Sequence, residues 1–137
     1  MTQRAKVDGQ PAFVLHSYPY SETSLIIDLF SRDHGRVAAL TRGARRPRSL
    51  MRGLLQAFQP LEVGWTGRGE VHTLIRAEWQ GGHAPLSGKA LFCGYYLNEL
   101  LISLLPRQDP HSRLFVLYGE TLRRFSGGAQ ESDLRGF

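Results

Sequence analysis

The sequence has one cysteine, Cys93, in 137 residues. No disulfide can close within the chain, and no cysteine-rich zinc site can form. Lysine is nearly as scarce, since fifteen of the seventeen basic residues are arginine. Acidic residues are missing altogether between Asp33 and Glu62. Long apolar runs are few. The longest, Ala90 to Leu105, is broken by Asn98 and Glu99. It is shorter than the roughly 20 residues that a bilayer span needs. The N-terminus, MTQRAKVDGQ, has no apolar core of a secretory signal. What remains is globular composition, 42% hydrophobic and 21% charged, long enough to bury a core without staples. A soluble, basic, cytoplasmic protein is expected.

The charge is uneven. Residues 1–61 hold nine Lys/Arg against four Asp/Glu, and residues 62–137 hold eight of each, so the net +5 lies wholly in the first part. The acid-free gap carries Arg36, Arg42, Arg45, Arg46, Arg48 and Arg52. Arginine presents a planar fork of donors that suits phosphate and stacks on flat rings, whereas lysine is a point charge.

The first 80 residues read as strands. Ala12 to Tyr18 is β-prone and ends at Pro19. Thr23 to Phe30 leads into the turn Asp33-His34-Gly35, and Gly35 to Thr41 returns as a hairpin strand. Leu50 to Phe58 has helical spacing weakened by Gly53, so one or two turns are expected. Leu61 to Trp65 and Val71 to Trp79 flank a Gly-bearing turn at residues 66–70. After Gly81-Gly82 the pattern becomes helical. Ser87 to Leu105 carries a stripe of Leu91, Tyr95, Asn98 and Ile102, with Ser87 as N-cap and Pro106 as its stop. A helix this apolar is expected to be buried on several sides. A second helix, about His111 to Phe125, aligns Leu114, Leu117, Tyr118 and Leu122. SGGAQESDL then reads as a polar linker. Five strands with a short helix after the third fit an OB-type barrel, with a generic barrel or a sheet packed on the helices as the alternatives. The expected class is α+β, with an OB-fold nucleic-acid-binding domain over residues 1–82 and the start of a helical domain over 83–137.

Motifs for catalysis are lacking. Gly67-Arg68-Gly69 is no dinucleotide fingerprint, because position 72 is His and the turn leads to a strand. No phosphate-binding GxxxxGK[ST], GxSxG or HExxH pattern occurs. The five histidines never stand at metal-ligand spacing, and His16 and His72 read as structural. Glu22, Asp28 and Asp33 are too loosely spaced for a metal-dependent nuclease. Cys93 reads as a small core residue, and Asn98 with Glu99 as a pair that orients the helix on the strands, with a partner contact as the alternative. No catalytic residue, metal or cofactor is expected. The arginine run is the main signal: a positive funnel for a phosphate backbone, against an acidic protein partner or a merely solvated loop. Arg68 could extend it. Phe13, Tyr18, Tyr20, Phe30 and Trp65 are either core or stacking platforms, and Tyr18 and Trp65 are the named stacking candidates.

Several stretches resemble the bacterial RecO family: Ala12 to Ser17, Ser21 to Leu25, Gly35-Arg36-Val37, Gly43-Ala44-Arg45, Gly67 to Val71 and Tyr96 to Leu101. They come in the family's order over almost the whole chain. The resemblance implies an OB domain followed by a helical domain. It implies binding of single- and double-stranded DNA and annealing of complementary strands. It implies work with RecR and SSB in loading RecA, without enzymatic turnover, in the nucleoid-associated cytoplasm. It maps the family's basic surface onto Arg36, Arg42, Arg45, Arg46, Arg48 and Arg52. The family runs about another hundred residues, which hold a zinc site in some members and dock the tail of SSB in others. Leu134 to Phe137 resembles the start of its next helix. The alternatives to this reading are an RNA-binding module and, in another class, a basic adaptor for an acidic protein.

Overall fold

Along the first strand, Ala12 and Val14 face one core while Phe13 and Leu15 face another, and all four are buried. A strand covered on both faces needs a layer on each side. The computed structural model, which describes residues 6–67, 69–81 and 84–128, provides both. Strands β1 (Lys6–Pro19), β2 (Leu25–Ser31), β3 (Gly35–Thr41), β4 (Leu61–Thr66) and β5 (Val71–Trp79) form a closed barrel in the order β1-β2-β3-β5-β4. All ladders are antiparallel except β3 with β5, where Ala38 to Leu40 pair with Val71 to Thr73 in parallel. A one-turn helix, α1 (Met51–Leu54), stands between β3 and β4. Helices α2 (Gly88–Leu104) and α3 (Ser112–Arg123) follow, and α3 continues into a π-helical turn over Arg124–Gly128. The expected OB-type barrel followed by helices is therefore present.

Inside the barrel Val14, Ile27, Leu29, Val37, Leu61, Val63 and Trp65 pack together. Outside it, Phe13, Leu15 and Phe30 meet Leu101, Phe115, Tyr118 and Leu122 of the helices. Phe13 stands edge-on to Tyr118 at 5.0 Å and Phe30 edge-on to Phe115 at 5.4 Å. Each fully buried side chain of this kind contributes roughly 1.5–3 kcal/mol, and each aromatic pair about 0.5–1.5 kcal/mol more.

One buried polar link fixes α2 on the barrel. Asn98 Nδ2 donates to the Leu15 carbonyl at 3.2 Å, and the Tyr118 hydroxyl donates to Asn98 Oδ1. Burial raises the Tyr118 hydroxyl well above the usual phenol range, and the bond to Asn98 lowers it only in part. Asn98 thus orients the helix as expected, while its neighbour Glu99 is exposed.

Several local expectations change. β1 begins at Lys6 rather than Ala12, because Lys6 and Val7 pair with Thr66 and Trp65 of β4. Ser87 precedes α2 in extended conformation but makes no side-chain cap bond. The face that α2 buries is Ala90, Gly94, Asn98 and Leu101, not the stripe through Leu91 and Tyr95. Small residues let the helix approach closely: a Cβ on Gly94 would lie 2.8 Å from the Phe58 ring. The opposite side of the helix is not covered, contrary to the expected burial on several sides: Phe92, at 78% exposed, and Tyr96 and Leu104 point to solvent. In α3, Phe115 takes the buried place expected for Leu117. Most of SGGAQESDL, and Leu134 to Phe137, lie outside the described residues.

Candidate nucleic-acid interface

The barrel has two functional ends. Pro19 pairs with Leu25, which pairs with Thr41, so the β1–β2 turn and the chain leaving β3 share one end. Lys6 pairs with Thr66 at the other end, where the β4–β5 turn lies.

At the first end, residues 42–52 wind through short turns. Arg46 N–H donates to the Gly43 carbonyl at 3.1 Å, and Ser49 N–H to the Arg46 carbonyl at 3.0 Å. Such turns satisfy the backbone locally and turn long side chains outward. Arg42, Arg45, Arg46, Arg48 and Arg52 are all exposed. Among the described residues none of the five enters an ion pair with a carboxylate. Arg76 shows the contrast. It lies on β5 between Asp8 at 2.9 Å, Glu62 at 3.2 Å and Glu78, so its charge is locally matched. The Arg76 guanidinium in turn holds the Asp8 carboxyl below its usual range.

The basic segment is anchored to the β1–β2 turn. Arg45 N–H donates to the Thr23 carbonyl at 2.9 Å, and the Arg45 guanidinium donates to the Ser21 carbonyl. The turn is itself closed by Ser24 N–H on Ser21 Oγ at 3.2 Å and Tyr20 N–H on the Ser24 carbonyl at 3.1 Å. The run Ser21 to Ser24 is therefore the seat of the arginine segment. Its hydroxyl spacing was the available signal, because a Ser side chain can accept from a backbone N–H a few residues on and so favours a local turn. Glu22 is exposed on the same turn and is the one carboxylate there. Tyr20, 64% exposed, and Tyr18, with its ring stacked on His16 at 5.8 Å, stand beside it.

Other expected members are elsewhere. Arg36 lies on β3 and donates to the Ile102 carbonyl in the last turn of α2. Its backbone carbonyl accepts from Gln108 N–H at 2.8 Å. It joins helix to barrel and is not gathered with the other five. Trp65 is 2% exposed in the barrel core, with His34 edge-on at 5.4 Å, so it has no face for a base. The alternating register of β4 points it inward. Arg68 lies outside the described residues, and the turn that carries it is at the far end, where Gly69 accepts from Gln108 Nε2 at 3.1 Å. His72 is buried on the Gly67 carbonyl, whereas His16 is exposed, contrary to a purely structural role. Cys93 is half-buried against the outer core.

Among the described residues no group of three or more His, Cys, Asp or Glu is placed to hold a metal ion, and no helix is long and apolar enough to cross a membrane. The arrangement is suited to binding a polyanion by charge, with tyrosine faces alongside.

Comparison with known proteins agrees in register with this architecture. The sequence pattern described as "Recombination protein O N terminal" matches residues 8–82, and "Recombination protein O C terminal" matches residues 85–137. The chain is 63% identical to the DNA repair protein RecO of Dechloromonas aromatica (strain RCB) over 141 residues, covering 100% of this chain and 58% of the relative. It is 56% identical to the protein of the same description from Aromatoleum aromaticum, covering 100% and 57%. A third, from Ralstonia nicotianae, is 59% identical over 90% of this chain and 45% of the relative. The chain thus spans about half the length of the curated relatives it matches.

Proposed function

The chain belongs to the RecO family, and on that premise we propose that its barrel is a DNA-binding module of recombinational repair. The observation that carries the reading is the group of five exposed arginines, unmatched by carboxylates among the described residues and seated on the β1–β2 turn. Phosphate contacts of this kind are sequence-independent and supply affinity through release of counterions. Two complementary strands held with their charge neutralised, and with their bases accessible, can pair. Annealing follows from that physical arrangement without a catalytic group. The role is that of a non-catalytic mediator, working with RecR and SSB in the loading of RecA.

The test is fluorescence anisotropy of a labelled single strand titrated with this chain across a salt series, with duplex DNA and RNA of the same sequence as competitors. Five arginine–phosphate contacts on a single strand correspond to a log–log slope of about −3.5. A slope near that value, with duplex DNA competing, supports the reading. A strong preference for RNA moves the assignment to an RNA-binding module. No binding at low salt removes the nucleic-acid role from this surface and leaves an acidic protein as its partner.

A further inference from the structure

A cleft of ≈ 480 Å³ opens between β1, the segment after α1, and α2. That volume is within the roughly 300–1,000 Å³ of small-molecule sites. Two of its three walls lead into the arginine surface. His16 and Ser17 continue through Tyr18 into the Tyr20 to Ser24 turn that seats Arg45. Leu55 and Ala57 continue from α1, which carries Arg52, and Ala57 is bridged to Val14 of β1. The third wall is α2, with Tyr95, Glu99 and Ile102. The cleft therefore combines apolar side chains, two aromatic rings and a carboxylate, on segments that run directly into the arginine surface.

The one carboxylate in its lining is Glu99. Glu99 is exposed and enters no ion pair among the described residues. A free carboxylate rejects phosphate but accepts N–H donors. Among the four DNA bases, only guanine places two N–H donors side by side on one edge.

We propose that this cleft receives one unstacked base of the bound single strand, and that Glu99 makes guanine the favoured occupant. The inference rests on the DNA-binding reading above. The flat base lies against Tyr95 and His16, its Watson–Crick edge donates to the Glu99 carboxylate, and its phosphates stay with the arginines. Bases splayed out in this way are the usual object of sequence reading on single strands.

The experiment compares anisotropy titrations of labelled oligothymidylate with the same strand carrying one central guanine, adenine or cytosine. Guanine should tighten binding about tenfold, the scale of a bidentate base contact. Glu99→Gln should remove most of that gain while leaving oligothymidylate affinity and its salt slope unchanged. Ser17→Phe, which fills the cleft from an exposed position, should remove it too. Equal binding of all four strands, or a guanine preference that survives Glu99→Gln, overturns the base pocket and leaves the DNA-binding reading standing. Failure of oligothymidylate itself to bind at low salt overturns both.

Discussion

The guanidinium of Arg45 donates to the main-chain carbonyl of Ser21, a residue 24 positions earlier in the chain. With Arg45 N–H on the Thr23 carbonyl, this makes two bonds between one loop and one turn. The consequence is electrostatic. A flexible arginine segment spreads its charge over many conformations, and ordering it on binding costs side-chain and backbone entropy. A segment already seated keeps Arg42, Arg46, Arg48 and Arg52 on one side of the barrel before any ligand arrives.

Replacing Arg45, Arg46 and Arg48 together by Ala should remove most affinity for single-stranded DNA. It should also reduce the magnitude of the log–log salt slope by about 2, since each lost phosphate contact on a single strand accounts for about 0.7. Anisotropy titrations at several salt concentrations measure both. An unchanged slope would mean that the strand does not cross this segment.

Arg36 should behave differently. Its guanidinium donates to the Ile102 carbonyl, where a cation also meets the negative end of the helix dipole. Arg36→Met should lower stability by about 1.5–3 kcal/mol, the range for a hydrogen bond to a charged group. It should leave the salt slope of DNA binding as it was. Urea denaturation beside the anisotropy assay separates these two effects.

The burial of Tyr118 predicts a pH dependence. Burial raises the folded-state pKa of Tyr118 above its ordinary value of 10.0. Below pH 10 the hydroxyl is protonated in both the folded and unfolded chains, and its contribution is fully present. Above pH 10 the unfolded chain releases the proton while the folded chain holds it. Stability then falls with rising pH, by up to about 1.4 kcal/mol per unit from this group. Tyr118→Phe should remove that component, seen as the difference between the two proteins in thermal denaturation at pH 9 and pH 11. At neutral pH the same variant leaves Asn98 Oδ1 buried without its donor, at a cost of about 1–3 kcal/mol.

Two glycines should respond in opposite directions to alanine. Gly35 has φ +69, and a Cβ there would lie 2.2 Å from the Asp109 carbonyl oxygen. The backbone of the α2–α3 connection cannot yield as a side chain would, so Gly35→Ala should destabilise the protein by more than about 1 kcal/mol. Gly53 lies in α1 with open space around it. Gly53→Ala should stabilise the chain by about 0.5–1 kcal/mol. Denaturant midpoints of the two variants, shifting in opposite directions, check the pair.

The sequence by itself determined the order and kind of the elements. β3 at Gly35–Thr41 and β5 at Val71–Trp79 coincide with their expected bounds, because turn residues punctuate both. It also determined that the net positive charge is concentrated early, since an acid-free stretch needs no fold to be seen. Residues whose place depends on a partner distant in sequence were not legible. Arg36 and Arg42 look alike in a list of arginines, but one lies against the end of α2 and the other faces solvent. Tyr18 and Trp65 look alike as strand aromatics. Closure of the barrel turned Trp65 inward and left Tyr18 at the rim, and neither outcome follows from a local pattern. The α2 face was misread by about one residue for a related reason. Periodicity weighs apolar size, whereas close helix packing selected the small residues Ala90 and Gly94. Local propensity and charge act along the chain. Which side chains meet, and which remain free for a ligand, was decided by barrel closure and by the docking of α2, which join residues far apart in the chain.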